Sequence, residues 1–370
     1  MQVAIVEGAE RRHAGHTVDM TLPRVTRPGL VRIGSLLAVL ACFAPWSAAH
    51  DAALHDPPRG DLRAVVFGDF NGPYGSLTYP PAVARVVAAI VDVWRPEVVL
   101  MPGDLVAGQD RSLPIDRFAA MWEAFDVAVA APLRSAGIPY VAAMGNHDAS
   151  NLRGPDGSFA FARERDAAAV YWSRPEHWHG LDAVDASAAP FTFALRLGPL
   201  LVAAIDASGP VVDDAQRAWL EGVLASAPAR ETSVRLVMGH LPLVGIAVGR
   251  DRQGEVVWEA ASLRAIMLEH GVDGYVSGHQ AAYYPGRWEG LELLFSGGIG
   301  GRALRNWDAP PRSAVTIVDM WLEPLVVRYT TFDPAGFQPF PATALPARID
   351  GYGGVVERSA RDGSCSAPGC

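Results

Sequence analysis

The sequence predicts an α/β fold with a mainly parallel sheet, and three of its features lead there. Short apolar runs of strand length alternate with segments whose apolar residues recur at helical spacing, the pattern that right-handed crossovers produce. Several of these runs end in Gly followed at once by a polar side chain, which places chemistry at the C-terminal edge of the strands, where open α/β sheets carry it. The composition is globular: 370 residues, half of them apolar and 19% charged, with a mean hydropathy of +0.13.

The elements follow in order. Asp61 to Asp69 reads as a strand closing on Gly68-Asp69, and a Gly/Pro/Tyr loop over 71–79 leads to a helix from about Pro81. Val83, Val86, Val87, Ile90 and Val93 share one face of that helix and belong to the core. Val98 to Met101 is the next strand, running into Pro102-Gly103-Asp104. A second helix covers about Pro114 to Ala131, with Phe118, Met121, Trp122 and Phe125 on one face. The strand from Ile138 to Ala143 then delivers Met144-Gly145-Asn146-His147-Asp148.

The stretch from Asn151 to Ala189, rich in Trp, His, Gly, Pro and charge, is expected to be a long surface insertion. Phe191–Leu197 and Leu200–Ile205 read as a hairpin turning at Gly198-Pro199 and ending in Asp206, and Asp213 as the cap of a helix carrying Trp219, Leu220 and Leu224. Val234 to Met238 is a strand ending in Gly239-His240. The helix Ala260 to His270 precedes the strand Gly274 to Val276, which ends in Ser277-Gly278-His279. Runs near Leu291–Phe295, Ala314–Met320 and Leu325–Tyr329 suggest a second sheet, and no repeat or linker divides this body.

Charge and composition exclude several classes. All 31 positive side chains are Arg, so a lysine Schiff base, a phosphate loop ending in Gly-Lys and a Ser-x-x-Lys hydrolase are ruled out. A net charge of −9 argues against a nucleic-acid-binding surface, which needs clustered positive charge. Arg24, Arg27 and Arg32 precede an apolar core, Ile33 to Trp46, and Ser47-Ala48-Ala49 follow, so residues 1–49 are expected to be a secretory signal with an extended n-region. Met20 is an alternative start, and Cys42 an alternative lipoprotein acylation site.

Removal of that segment takes five Arg and three acidic residues from the 31 and 40, leaving 26 and 37. It also leaves Cys365 and Cys370, close enough in sequence for a small disulfide in an oxidising compartment. The expectation is a secreted or periplasmic protein with no transmembrane anchor after cleavage, one domain over 50–335 and a tail over 336–370.

Five strand ends carry Asp69, Asp104, Asn146, His240 and His279, each directly after Gly. Gly at these places is expected to make the tight turn that aims the next side chain over the sheet edge. Carboxylate, amide oxygen and imidazole form a mixed O/N set suited to divalent Mn, Fe or Zn, without choosing among them.

In order, Gly68-Asp69-Phe70-Asn71, Gly103-Asp104, Gly145-Asn146-His147-Asp148, Gly239-His240 and Gly278-His279-Gln280-Ala281 resemble the motifs of the calcineurin-like metallophosphoesterase superfamily. The turn Ser296-Gly297-Gly298-Ile299-Gly300-Gly301 resembles the family too, and the resemblance covers roughly residues 61–332. It implies a four-layer α/β/β/α sandwich of two facing mixed sheets, with a metal site at the strand C-terminal ends. It also implies hydrolysis of a small phosphorylated substrate by a metal-activated water, with two divalent ions. Asp104 would bridge them, Asn146, His240 and His279 would complete one pocket, and Asp69, with Asn71 as a further candidate, would serve the other. His147 would stabilise the transition state or protonate the leaving oxygen, oriented by Asp148.

Two departures fall in one pocket. Asn71 stands where many members have His, and Ala281 stands where a second His normally supplies a ligand. A methyl group cannot coordinate. Ala107 also occupies the place of the tyrosine that purple acid phosphatases carry three residues after the second Asp. The pocket around Asp69 is therefore expected to be weak or empty, with Gln280, Gln109, Tyr74 and Tyr283 as candidate substitutes.

An exported phosphoesterase is the main reading; a secreted pseudoenzyme or binding protein holding at most one ion is the alternative. Tyr283 and Arg250 are candidate substrate contacts. Asp206 is a candidate support for the site. His177 and His179, beside Trp172 and Trp178, read as local packing ahead of a cover over the site.

Overall fold

The computed structural model describes residues 54–340 and 344–362. The signal segment expected over 1–49, with Cys42, and the Cys365–Cys370 disulfide lie outside them. In chain order the strands are β1 (Leu62–Val66), β2 (Val98–Met101), β3 (Tyr140–Ala142), β4 (Asp182–Ala188), β5 (Thr192–Leu197), β6 (Leu200–Ala204), β7 (Val234–Met238), β8 (Gly274–Ser277), β9 (Tyr283–Trp288), β10 (Leu291–Ser296), β11 (Val315–Leu322), β12 (Leu325–Asp333), β13 (Gln338–Pro339), β14 (Arg348–Gly351) and β15 (Gly354–Arg358). The helices are α1 (Pro81–Ala89), α2 (Ile115–Phe125), α3 (Ala131–Ser135), α4 (Asn146–Ala149), α5 (Ala162–Trp172), α6 (Asp214–Leu224), α7 (Ala227–Arg230) and α8 (Ala260–Glu269).

Two mixed sheets result, one of six strands in the order β13-β12-β11-β1-β2-β3 and one of nine in the order β14-β15-β9-β10-β8-β7-β6-β5-β4. In the first, β1, β2 and β3 are parallel; in the second, β6, β7, β8 and β10 are parallel. All of the candidate ligands follow strands from these parallel sets.

The period of two along a strand assigns the layers. On β1, Leu62, Ala64 and Val66 join Leu236, Val276 and Leu294 of the second sheet in one buried cluster, while Val65 joins Val83, Val86 and Phe118 of α1 and α2 in another. Leu220 of α6 and Met267 of α8 pack into the first cluster. The sheets face each other with helices on their outer sides, the four-layer sandwich that the motifs imply. Pro81 opens α1, and the Asp213 carboxylate caps α6 by accepting the Gln216 N–H at 2.9 Å.

Three expectations are corrected. The late strands do not form a sheet of their own: β10 sits inside the second sheet, whereas β11 and β12 extend the first beside β1. The stretch 151–189 is not an irregular insertion, since it contains α5 and β4. Helix α5 escapes a periodicity reading because its buried face includes Glu164 and Arg165 beside Ala168, Tyr171 and Trp172. Nor does the domain end at 335: the β14–β15 hairpin pairs with β9, and Tyr352 exchanges backbone hydrogen bonds with Gly245. Among the described residues no helix is long and apolar enough to cross a membrane.

The Trp/His cluster is packing, as expected. His177 is buried against the rings of Tyr171, Trp172 and Tyr140, and the Tyr140 hydroxyl lies 2.7 Å from its Nδ1. Burial and the neighbouring Arg134 push its pKa down to about 4, from an ordinary value near 6.5. The unfolded chain therefore binds a proton that the folded chain refuses between these pH values. His177 contributes stability above pH 6.5 that is lost as pH falls toward 4. In urea titrations, His177→Gln is expected to lose about 1–2 kcal/mol less than the wild type between pH 7 and pH 5; equal losses would contradict this.

Candidate metal centre

The site is assembled on the loops that leave β1, β2, β3, β7 and β8. The loop after β2 and the turn after β3 are bound together by one carboxylate. Asp148 Oδ1 accepts the N–H groups of Leu105 and Val106 at 2.7 and 2.8 Å, and its Oδ2 accepts that of Gly145 at 2.8 Å. Backbone groups that the burial of this region would leave unpaired are thereby satisfied. From the other side, Arg165 donates to the Ala149 carbonyl at the end of α4 at 2.7 Å and pairs with Asp206 at 2.8 Å. Asp206 thus supports the α4 turn through Arg165.

The motif glycines are needed mainly for close approach. A Cβ at Gly103 would lie 2.6 Å from His240 Nδ1, one at Gly145 would lie 2.3 Å from Asp104 Oδ1, and one at Gly278 would lie 2.4 Å from Asp69 Oδ2. Of the five glycines only Gly103 has a positive φ, so the expected turn at Gly falls one residue later. Asp69, Asp104 and His279 themselves adopt left-handed φ values of 48°, 55° and 65°. Such backbone costs roughly 1–2 kcal/mol per non-glycine residue and persists where surrounding contacts enforce it.

Four donor atoms converge at the base of this assembly. His240 Nε2 lies 3.3 Å from Asp104 Oδ1 and 2.9 Å from Asn146 Oδ1. His279 Nδ1 lies 2.9 Å from the same Asn146 oxygen and 3.3 Å from His240 Nε2. Ligands about 2.1 Å from one ion stand roughly 3.0–3.4 Å apart, and each of these neighbouring contacts is close to that spacing.

The faces presented also fit. The Asn146 amide nitrogen donates to Gln109 Oε1 at 2.7 Å, which turns the amide oxygen inward, and His240 Nδ1 faces the Pro102 carbonyl at 2.8 Å, which leaves Nε2 for the pocket. Burial opposes charge here, yet the mutual attraction of Asp104 and His240 raises the imidazole to about 9 and holds the carboxyl well below its usual range.

The neighbouring pocket is poorer. Asp69, Asp104 and His240 offer ligand atoms within 4.8 Å of one another, so Asp69 reaches the same centre. Burial, opposed by His240 and reinforced by Asp104, pushes the Asp69 carboxyl up to about 6. Its two oxygens already accept the His279 N–H at 2.7 Å and the Ser296 hydroxyl at 3.2 Å. Ala281 adds only a methyl group, and Asn71 is held through its backbone N–H to the Asp104 carbonyl at 3.2 Å. None of the candidate substitutes is arranged to replace the missing His. Gln280 spends its oxygen on the Ile246 and Ala247 N–H groups, Gln109 faces Asn146, and Tyr74 lies over His147.

A cleft of about 1160 Å³ opens above, with Asn146, His147 and His279 in its floor and Arg250, Arg302 and Trp258 among its walls. A model of the calcineurin-like phosphoesterase family matches residues 62–283. The chain belongs to this family. Among solved structures, the chain resembles the purple acid phosphatase PPD1 of yellow lupin, with a TM-score of 0.53 and 15% identity over 77% of this chain and 54% of that one. It thus spans about half the length of the lupin protein. A dimetal phosphatase from Danio rerio is similar at a TM-score of 0.47 and 13% identity, covering 72% of this chain and 95% of that one. Comparison with curated proteins finds no match.

Within this family framework, the expected roles of several residues change. His147 is oriented by the Gly108 carbonyl, 3.1 Å from its Nδ1, while its backbone N–H donates to Asp104 Oδ1 at 3.0 Å. Asp148 does not orient it, because both of its oxygens are spent on backbone N–H groups; it is a structural carboxylate. Tyr283 is buried against Phe340, away from the cleft, and is not placed to meet a substrate. Arg250 does line the cleft, with Nη1 2.7 Å from Glu255 Oε2 and 2.8 Å from His279 Nε2.

Glu255 and Arg302 are the residues that sequence reasoning missed. Glu255 stands in a loop without a motif, and its partners come from distant parts of the chain. The hydrogen bond from His279 outweighs burial and, with Arg250, lowers Glu255 to about 2; burial, opposed by the Glu255 hydrogen bond and aided by His240 and Arg250, lowers His279 to about 4.

Asp148→Ala leaves three buried N–H groups without an acceptor. Urea denaturation of the metal-free protein is expected to show a loss of about 3–5 kcal/mol; a loss below about 1 kcal/mol would refute the clamp.

Proposed function

We propose that this chain is an exported phosphoesterase working with one tightly held divalent ion. The observation that supports it is the convergence of Asp104, Asn146, His240 and His279 donor atoms beneath the cleft. Bound there, a divalent cation supplies Lewis acidity and a water activated for attack on phosphorus.

The remaining chemistry falls to the chain's own residues. With Nδ1 held at the Gly108 carbonyl, His147 is left with Nε2 facing inward, 4.0 Å from Asp104 Oδ2 at the cleft floor, where it protonates the departing ester oxygen. Arg250 and Arg302 bring positive charge to the same cleft and attract a phosphate without the aid of Lys. The cleft of about 1160 Å³ has room for a small phosphorylated substrate, and the acidic balance of the chain argues against a nucleic-acid ligand. Residues 1–49 act as the export signal.

A second reading, a fold-retaining pseudoenzyme, draws on the neighbouring pocket. There Ala281 offers no donor and Asp69 is already bound by Ser296 and the His279 N–H.

Metal analysis after dialysis is expected to find one ion per chain, and none in Asp104→Ala. With added Mn, phosphatase or phosphodiesterase activity should appear in the wild type and vanish in Asp104→Ala. His147→Ala should lose about 10²–10⁴-fold in kcat at unchanged metal content. Two retained ions would overturn the single-ion reading, and activity that survives Asp104→Ala would overturn the enzyme reading. Expression of the full chain with export should give a mature protein beginning at His50; an uncleaved N-terminus in the exported protein would contradict the signal.

A further inference from the structure

His279 is held from two sides. Its Nδ1 faces the pocket, 2.9 Å from Asn146 Oδ1 and 3.3 Å from His240 Nε2, and its Nε2 lies 2.8 Å from Glu255 Oε2. A neutral imidazole has one N–H and one lone pair, and a ligand that faces a cation through Nδ1 must carry its proton on Nε2, where the Glu255 carboxylate stands to accept it. A carboxylate accepts only, so it favours the tautomer with the proton on Nε2 and the lone pair on Nδ1. Arg250 Nη1 also donates to Glu255 Oε2 at 2.7 Å and lies 2.8 Å from His279 Nε2 and 3.4 Å from its Nδ1.

The loop carrying this carboxylate is not free to drift. Gln280, directly after His279 and fully buried, accepts the Ile246 and Ala247 N–H groups at 3.0 and 2.9 Å. Its amide nitrogen donates to the Arg250 carbonyl at 3.2 Å and to the Glu255 carbonyl at 3.4 Å. The residue in the variable place of the last motif thus fastens the loop of Glu255 onto the strand end that bears His279. Among the described residues, Glu255 is the carboxylate on the outer nitrogen of this ligand.

We propose that Glu255 is a positioning residue for the metal: it fixes the His279 tautomer that turns the Nδ1 lone pair into the pocket, with Arg250 bracing the carboxylate from the cleft side. The inference rests on the metal-binding reading above and adds to it a carboxylate that stands behind the ligand, on its outer nitrogen. Carboxylates behind a ligating imidazole typically change metal affinity by about 10–100-fold.

The test uses metal-free full-length protein titrated with Zn(II) against a chelating dye, with Co(II) absorption spectra alongside. Glu255→Ala is expected to weaken Zn(II) binding by about 10–100-fold and to alter the Co(II) spectrum. Glu255→Gln, whose amide oxygen accepts the same proton, should restore most of the affinity. Nitrogen NMR of the wild type should find the His279 proton on Nε2. A Glu255→Ala protein that binds Zn(II) as tightly as the wild type, or a wild-type proton on Nδ1, overturns the proposal. Should Glu255→Ala not fold, the wild-type tautomer and Glu255→Gln decide. Failure of the wild type itself to bind Zn(II) would instead defeat the metal-binding reading, which separates the two.

Discussion

Asp148 accepts three backbone N–H groups, two from the loop after β2 and one from the turn after β3, and so locks the frames of Asp104 and Asn146 together. Asp104 follows Gly103 on the first loop, and Asn146 follows Gly145 on the second. Neither strand alone determines how far apart these ligands stand; the shared carboxylate does. The Arg165 bridge from the Ala149 carbonyl to Asp206 then ties the same turn to the second sheet, so that His240 and His279 meet a preset partner. The left-handed backbone at Asp69, Asp104 and His279 is sustained by this network rather than by local preference.

The parts legible from sequence are those encoded within a few residues of one another. Gly followed by a ligand at the end of an apolar strand is local, and all five such ligands come to one region of the fold. The order of the motifs also carries the layer architecture. What escapes is what depends on distant partners. His147 and Asp148 are adjacent in sequence, which suggests that one orients the other, but α4 sends them in different directions and the Asp turns back onto backbone. Glu255 has no local signature, because its place is set by Gln280 and its partner is 24 residues away. Helix α5 is masked by its buried Arg165 and Glu164, and the C-terminal hairpin gains its strands from pairing with β9.

The absence of Lys gives the supporting structure a uniform chemistry. Arg165 makes two directed hydrogen bonds to groups in different layers, and Arg63 on β1 grips both oxygens of Asp319 across the strand pair β1–β11. The planar guanidinium suits this double role in a way that a single ammonium does not. Arg250 is the half-buried counterpart, braced by Glu255 while still facing the cleft. Cationic side chains therefore serve both as struts and as candidate contacts for phosphate.

The pairing of β1 with β11 has a consequence for the order of synthesis. Arg63 lies opposite Asp319, so the central strand of the first sheet finds one of its two neighbours only after some 250 further residues have been made. A contact of such separation closes late, because the loop entropy must be met before the pairing rewards it. A ribosome-bound chain that has emerged only through β10 carries every candidate ligand, yet lacks the strand against which β1 is flanked. The strand that leads to Asp69 is therefore flanked on both sides only once the last fifth of the polypeptide joins the fold.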